Sequence, residues 1–566
     1  MNIQKEKIKE FILIIVGSIT WSLTMFKSGL IYDYGMGFWG PNGHDGIWHI
    51  ALIESLSKGT LQMPVFAGEN IQNYHIGFDL FLALIHNLTQ IPVVNLYFQI
   101  IPPILAFLIG LLIYKFVYLW RKSTTQAFWA TFFVYFCGSF GWVITLLKGN
   151  GFNGESLFWA QQSVSTLINP PFALSLVIIF LGFYLMTASK SHPINNKTIL
   201  IISLLFGILV QIKIYAGILI ISALFVNGIW DYFKRKDLSI IKMFLMSTFV
   251  SVLILIPTYN IRSGGLIFQP FWFLENMVSN TDRLYWPKMA SALFNYKLSG
   301  NTLKGSLAYS LVFVLFIIGN LGIRVTAFPF IVKRIKELKK LDIFEAIILI
   351  DIFLGILIPT LFIQKGNSWN SIQFFYYSLV FLSLLTGIVI GEFLEKLKNV
   401  KPLNRPKYFL VLGLVILMTI PTVISTLRHY LPNRPPAKIS NEEIAALVFL
   451  SMQPDGVVLT LPVDKNIADS VTSNPPRPLY LYESTAYVSA MTGKLTFLDD
   501  EVNLDITGYA WRERLNWITS NLDNINYLKS YGIKYIYVVD DKNFIIKDEM
   551  KQLNIYNKDG IGIYKL

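Results

Sequence analysis

The sequence predicts a polytopic α-helical membrane protein of about eleven transmembrane helices. It also predicts a large first external loop bearing juxtamembrane helices and a small C-terminal extracytoplasmic α/β domain. Three observations predict this class. Of 566 residues, 54% are hydrophobic and only 15% are charged, whereas a soluble domain carries about 25% charged residues. The apolar residues are gathered into stretches long enough to cross a bilayer, about 18 residues or more. The basic residues behind a formal net charge of +13 lie in short runs between those stretches, which is the pattern of cytoplasmic loops and argues against nucleic acid as a partner.

The chain starts MNIQKEKIKEFILIIVGSITW, basic and then apolar with no small-residue cleavage site, and is expected to be an uncleaved first span. Further apolar runs begin FQIIPPILAF, FWATFFVYF, FALSLVIIF, ILIISLLFG, AGILIISALF, MFLMSTFVSV, YSLVFVLFII, AIILIDIFLG, YYSLVFLSLL and YFLVLGLVIL. HIGFDLFLALIHNL (75–88) is apolar, too short to span comfortably, and carries His75, Asp79 and His86. If it does not cross, the runs Lys5/Lys7/Lys9, Arg121/Lys122, Lys190/Lys197, Lys234/Arg235/Lys236, Lys333/Arg334/Lys336 and Lys396/Lys398/Lys401 all fall on one side. That side is the cytoplasm, and the N-terminus lies there. An odd number of spans then leaves the C-terminal part outside a cytoplasmic (cell) membrane.

Three long connections fall outside on this scheme: 28–95, 148–170 and 259–303. Residues 1–430 form the transmembrane domain with the external loop 28–95, and residues 431–566 the extracytoplasmic α/β domain, beyond the Pro-rich LPNRPPAKISNEE. In that tail DGVVLTLPV and YGIKYIYVVDD are bounded by turn residues and read as strands, with ERLNWITSNLDNINYLKS as the helix before the second. Cys137 is the only cysteine, so no disulfide framework and no cysteine-based metal site forms within one chain.

Chemistry-bearing residues concentrate in the first loop. HDGIWHIALIESLSKG reads as an amphipathic helix ending at Gly59, with Asp45 where an N-cap belongs. His49 lies one turn beyond Asp45 and so can face the same way, with His44 and Trp48 beside them. An ordinary helix cap is the competing reading for Asp45. Ionisable clusters at a membrane surface are functional candidates by default. Tyr74 and His75 open the juxtamembrane helix that follows.

An uncleaved first span, a large outer loop with an Asp at the start of a helix (HDGIWH), and a YH pair opening a second helix before a long span together resemble the C-class of integral-membrane glycosyltransferases (GT-C). The resemblance implies a polyprenyl-phosphate-linked sugar donor and places the loop acidic residue at the catalytic centre. His44 stands where that family usually has a second acidic residue, and the tail has no WWD-type motif, which argues against transfer to protein sequons.

The expected activity is therefore a glycosyltransferase, hexosyl or pentosyl, at the outer face of the cytoplasmic membrane. It would move sugar from a lipid-phosphate donor to a lipid or glycan acceptor. Asp45 is the expected general base, taking the acceptor hydroxyl proton as the new bond forms, with His49 and His44 as supporting or ligand candidates. The departing phosphate calls for a cation. Lys213, Arg262, Arg283, Lys288 and Lys365 are the external basic residues near span ends, with Arg262 and Arg283 ranked first for their bidentate fork. No cofactor is specified by these residues, and Mg²⁺ or Mn²⁺ stays open. Oxygen ligands for Mg²⁺ or Mn²⁺ are available in Asp33, Asp45, Glu54 and Glu69, with Asp45 and Glu54 the first choice. Amides beside rings suit sugar hydroxyls and apolar sugar faces, which singles out Trp159, Gln161, Gln162 and Asn169 in one connection and Asn370 and Gln373, with Trp369, Tyr376 and Tyr377, in another. The rival reading is a transporter or lipid flippase, whose marks would be repeats and charge at the membrane midplane. The sequence shows no repeat, and Lys115 and Asp351, expected near span ends, are its main intramembrane charges.

Overall fold

The computed structural model describes residues 2–189, 194–259, 265–397, 405–461, 475–481, 484–522, 524–539 and 551–566. Among the described residues eight helical segments are long and apolar enough to cross a membrane, from Lys7–Phe26 to Tyr408–Tyr430, and nine if the bent pair Thr124–Phe136 and Gly141–Leu147 is one span. The expected eleven exceeds this count because Asn196–Ile212 and Ser239–Leu255 have only 17 residues each. The juxtamembrane candidate folds as a 13-residue helix, Gly77–Thr89, about 20 Å long at 1.5 Å per residue.

The chain divides into two compact units. The first comprises Met1–Leu23, Pro103–Pro257 and Gly265–His429. Its hub is the helix Gln373–Leu397, buried along most of its length and packed on Thr124–Phe136. A Cβ at Gly387 would collide with the backbone of Ala130, so a small residue there sets how closely these two helices approach. Helix Thr302–Leu321 ends at Gly322, which has φ +53° and lies against the carbonyl of Gly138, a position that only glycine fills without strain. Arg324 follows, 1% exposed. Its guanidinium donates to Gln162 Oε1 (2.7 Å), Ser383 Oγ (2.7 Å), Ser163 Oγ (3.1 Å) and the Cys137 carbonyl (3.3 Å). The sequence reading missed this buried cation. Asp351, expected near a span end, sits in the middle of Ile343–Leu361, fully buried, with neither oxygen hydrogen-bonded.

The second unit comprises Thr24–Pro102, Thr258–Gly264 and Tyr430–Leu566. Against the sequence scheme, which puts loop 28–95 with the transmembrane domain, the loop after the first span groups with the tail. A sheet joins them: strands β1 (Ile31–Tyr32) and β2 (Gly35–Phe38) continue through β2 to β3 (Ala437–Ile439) and on to β4 (Arg477–Pro478). Met36 pairs with Ile439 and Phe38 with Ala437, antiparallel. A second sheet lies within the tail. In it β5 (Val457–Thr460) runs parallel to β6 (Ile533–Val539), which pairs antiparallel with β8 (Ile561–Lys565), itself paired to β7 (Asn554–Lys558). Both expected strands are present. β6 is buried from Tyr535 to Val538, on both faces of the sheet. The single helix expected before it is two, Trp511–Asn521 and Ile525–Ser530, the second started by Asn524 accepting from the Tyr527 N–H.

Candidate functional site

In the second unit the turn Gly40–Gly43 runs straight into the helix Asp45–Ser57, with the His44 N–H donating to the Pro41 carbonyl. This corrects the expectation for Asp45. His44 occupies the N-cap position, its side chain makes no cap bond, and Asp45 is the first helical residue. The cap is unnecessary because the preceding turn already carries the chain into helical conformation. The helix is not amphipathic either: its residues from Gly46 to Ile53 are all buried, since the tail helix Tyr487–Thr492 and the helix Gly77–Thr89 pack against it.

Asp45 escapes that burial, its side chain 62% exposed. Its Oδ1 lies 3.0 Å from His44 Nδ1, and the other ring nitrogen of His44 lies 3.3 Å from Oδ1 of Asp500, a fully buried tail residue. Burial opposes charge on His44, but Asp500 and Asp45 outweigh it and hold the imidazole pKa well above its ordinary value. An exposed carboxylate is thus backed by a largely covered imidazole and a second, buried carboxylate. The sequence reading missed Asp500, whose only signal was the LTFLDD stretch.

His49 does not join Asp45. Its Nδ1 lies 2.7 Å from Asp79 Oδ1, with both side chains buried. Its ring stacks on Tyr97 with centroids 5.7 Å apart and meets Phe78 edge-on. Tyr74 packs edge-on against Trp48 at 5.5 Å, and His75 stacks on Tyr74 at 4.6 Å. These groups pin the helix Asp45–Ser57 to Gly77–Thr89, a role the spacing of Asp45 and His49 did not reveal.

Nor do Asp45 and Glu54 share an ion. They stand nine residues apart on one helix, about 13 Å along its axis. Among the described residues no group of three or more His, Cys, Asp or Glu is placed to hold a metal. Glu54 lies beside His86 and Lys58, and burial raises its pKa against their opposing charges.

The first unit gathers the other candidates. Arg283 lies over the Trp159 ring, 4.3 Å from guanidinium carbon to centroid, and its Nε is buried without a hydrogen-bond partner. Its nearest carboxylate is its neighbour Asp282, at 3.5 Å. Trp272 and Trp369 pack on the same Trp159, and Trp369 is 53% exposed. Buried Glu155 accepts from the Gln162 N–H (2.7 Å) and Ser165 hydroxyl (2.6 Å) on one oxygen, while the other has no partner. Burial pushes its carboxyl up, against Ser165, Gln162 and Arg283. Glu155 also went unnoticed in the sequence. Asn169, Gln373 and Asn370 form a chain of side-chain amides at 3.4 Å steps. Gln162 is committed to Arg324 and Tyr377 to Ser175, so these two serve the helix packing. Lys213 is buried between the helices Asn196–Ile212 and Ile214–Arg235, its ammonium 5.6 Å from the Tyr215 ring. Arg262 lies outside the described residues.

No protein-family model and no curated protein matches the sequence. Among solved structures, the chain is similar over nearly its whole length to the oligosaccharyltransferase of Archaeoglobus fulgidus, crystallised tethered to an acceptor peptide containing the NVT sequon. Identity is 12% and the TM-score 0.49, covering 94% of this chain and 69% of that one. The apo form of that enzyme gives 13% identity and a TM-score of 0.47, over 94% and 70%. ArnT from Cupriavidus metallidurans, bound to undecaprenyl phosphate, gives 10% and 0.37, over 98% and 97%. At these values the roles of individual residues rest on this chain's own geometry.

Proposed function

We propose that this multi-pass membrane protein is a GT-C-class glycosyltransferase that moves a hexose or pentose from a polyprenyl-phosphate donor to a lipid or glycan acceptor. The reaction takes place at the outer face of the cytoplasmic membrane. The observation that carries this reading is Asp45: an exposed carboxylate held by a largely covered imidazole, in the loop directly after the first span. As the acceptor oxygen bonds to the anomeric carbon, Asp45 takes its proton. The bond from that carbon to the phosphate oxygen breaks, and the polyprenyl phosphate leaves with the electron pair. The departing phosphate calls for a cation, and Arg283, whose fork lies over the Trp159 ring with Nε unpartnered, has the chemistry for that role. The two 17-residue helices each reach the lower limit of a span, about 17 residues, and as spans they bring the total to eleven with the N-terminus inside.

The direct test is a panel of undecaprenyl-phosphate hexoses and pentoses offered to the full chain in nanodiscs with a lipid-extract acceptor. Release of undecaprenyl phosphate is read by mass spectrometry. One member should be consumed in the wild type and spared in Asp45→Asn. Consumption of none would overturn the reading. For the donor so identified, Arg283→Lys is expected to raise its KM roughly tenfold, the loss of about 1.5 kcal/mol of charge-assisted bonding, with the acceptor KM unmoved. Equal effects on both substrates would remove Arg283 from the phosphate.

The transporter reading is favoured by one observation, Asp351 buried in mid-span, since such groups mark ion and substrate paths. Asp351→Asn is expected to leave sugar transfer unchanged in the same assay. A loss matched to that of Asp45→Asn would bring the spans into the chemistry.

A further inference from the structure

Two carboxylates flank one imidazole. A neutral histidine carries a proton on one ring nitrogen and a lone pair on the other. Whichever tautomer His44 adopted, a lone pair would face the oxygen of Asp45 at 3.0 Å or that of Asp500 at 3.3 Å. Protonated at both nitrogens, the ring presents positive charge to both carboxylates: the Asp45 contact is a hydrogen bond, while Nε2 stands at ion-pair distance from Asp500 without hydrogen-bond alignment. Asp500 is built to stay where it is. It is fully buried and caps the helix Glu501–Thr507, accepting from the Asn503 N–H at 3.2 Å and the Asn503 side-chain amide at 2.9 Å. Its own N–H donates to Ser484 Oγ at 2.9 Å. Its φ is +54°, a left-handed conformation that Asp and Asn tolerate better than other side chains. The charged groups acting on His44 among the described residues are Asp500 and Asp45. Asp499 beside it is occupied by the Thr460 hydroxyl at 2.7 Å.

We propose that Asp500 is a positioning residue of the transfer reaction: from the tail it fixes the His44 ring, and His44 in turn orients the Asp45 carboxylate toward the acceptor hydroxyl. This rests on the reading of Asp45 as the base. It gives the C-terminal region a part in catalysis without contact with substrate.

Asp500→Asn isolates the charge, because Asn caps a helix about as well as Asp and tolerates the same backbone. In the full chain in nanodiscs, with the undecaprenyl-phosphate sugar that the wild type consumes, Asp500→Asn is expected to lower kcat by about 10-fold to 10²-fold and leave the donor KM unchanged. In a His44→Gln background the same substitution should cost nothing more, since Asp500 acts only through His44. An additive loss, or a change in KM alone, would overturn the proposal. A second readout needs no substrate. With ¹⁵N-histidine labelling, and His44→Gln to assign the signal, both ring nitrogens of His44 should show imidazolium shifts at neutral pH, and Asp500→Asn should return one of them to a neutral value. Unchanged shifts would refute the hold on His44. Full transfer by Asp45→Asn with the shifts coupled as described would instead refute the base assignment.

Discussion

Asp45→Asn is expected to lower sugar transfer by about 10²–10⁴-fold, the usual contribution of a general base, while the protein folds and inserts as before. The side chain is largely exposed, it meets the adjacent His44 at 3.0 Å, and Asn matches it in size. Asp45→Ala should fold equally well. A capping role would have made alanine cost roughly 1 kcal/mol, but His44 holds the cap position and makes no side-chain cap bond, so that cost does not arise. The two variants should therefore be indistinguishable in an SDS unfolding titration and equally inactive in the release of undecaprenyl phosphate. A stable, fully active Asp45→Asn would end the account. An inactive, destabilised alanine variant beside a stable asparagine one would reinstate the capping role.

The second large effect is on stability. His49 and Asp79 form a buried hydrogen-bonded pair between two helices, and removal of one partner leaves the other's polar group stranded away from water. Asp79→Ala is expected to cost about 1–3 kcal/mol, read as a lower SDS midpoint, with a loss of transfer that follows the loss of folded protein. Replacing both partners by apolar groups of similar size, His49→Phe with Asp79→Leu, should recover most of that stability, because no buried polar group is then left unsatisfied. Transfer decides what His49 does. If it is the pin the structure shows, the recovered double variant transfers sugar. If it acts on substrate, the double variant folds and stays inactive.

The spans were legible because the bilayer imposes a composition and a length that a sequence window can see, and the strands 457–460 and 533–539 were legible as short apolar runs between turn residues. What stayed hidden depends on long-range assembly. Spacing alone put His49 with Asp45, since residues four apart share a helix face, but the helix is enclosed on all sides and His49 turned to Asp79 on a neighbouring helix. Asp500 lies far along the sequence from His44, and the loop meets the tail through strands two to four residues long, a short tail helix and a few backbone bonds. Pairing that short leaves almost no periodicity to read. Arg324 was missed for a related reason: its neutral partners Gln162, Ser163 and Ser383 come from distant segments, so nothing near it in sequence marks a buried cation. Arg283 was legible as a residue type. Its stacking on Trp159 was not.

The central claim is that the Asp45 carboxylate faces the outer leaflet, where a lipid-borne sugar presents its phosphate. The one native cysteine, Cys137, is 1% exposed, so a cysteine placed at residue 45 can be read against a quiet background. A membrane-impermeant maleimide applied to intact cells is expected to label Asp45→Cys fully. Labelling only after the membrane is permeabilised would place the carboxylate in the cytoplasm and contradict the account.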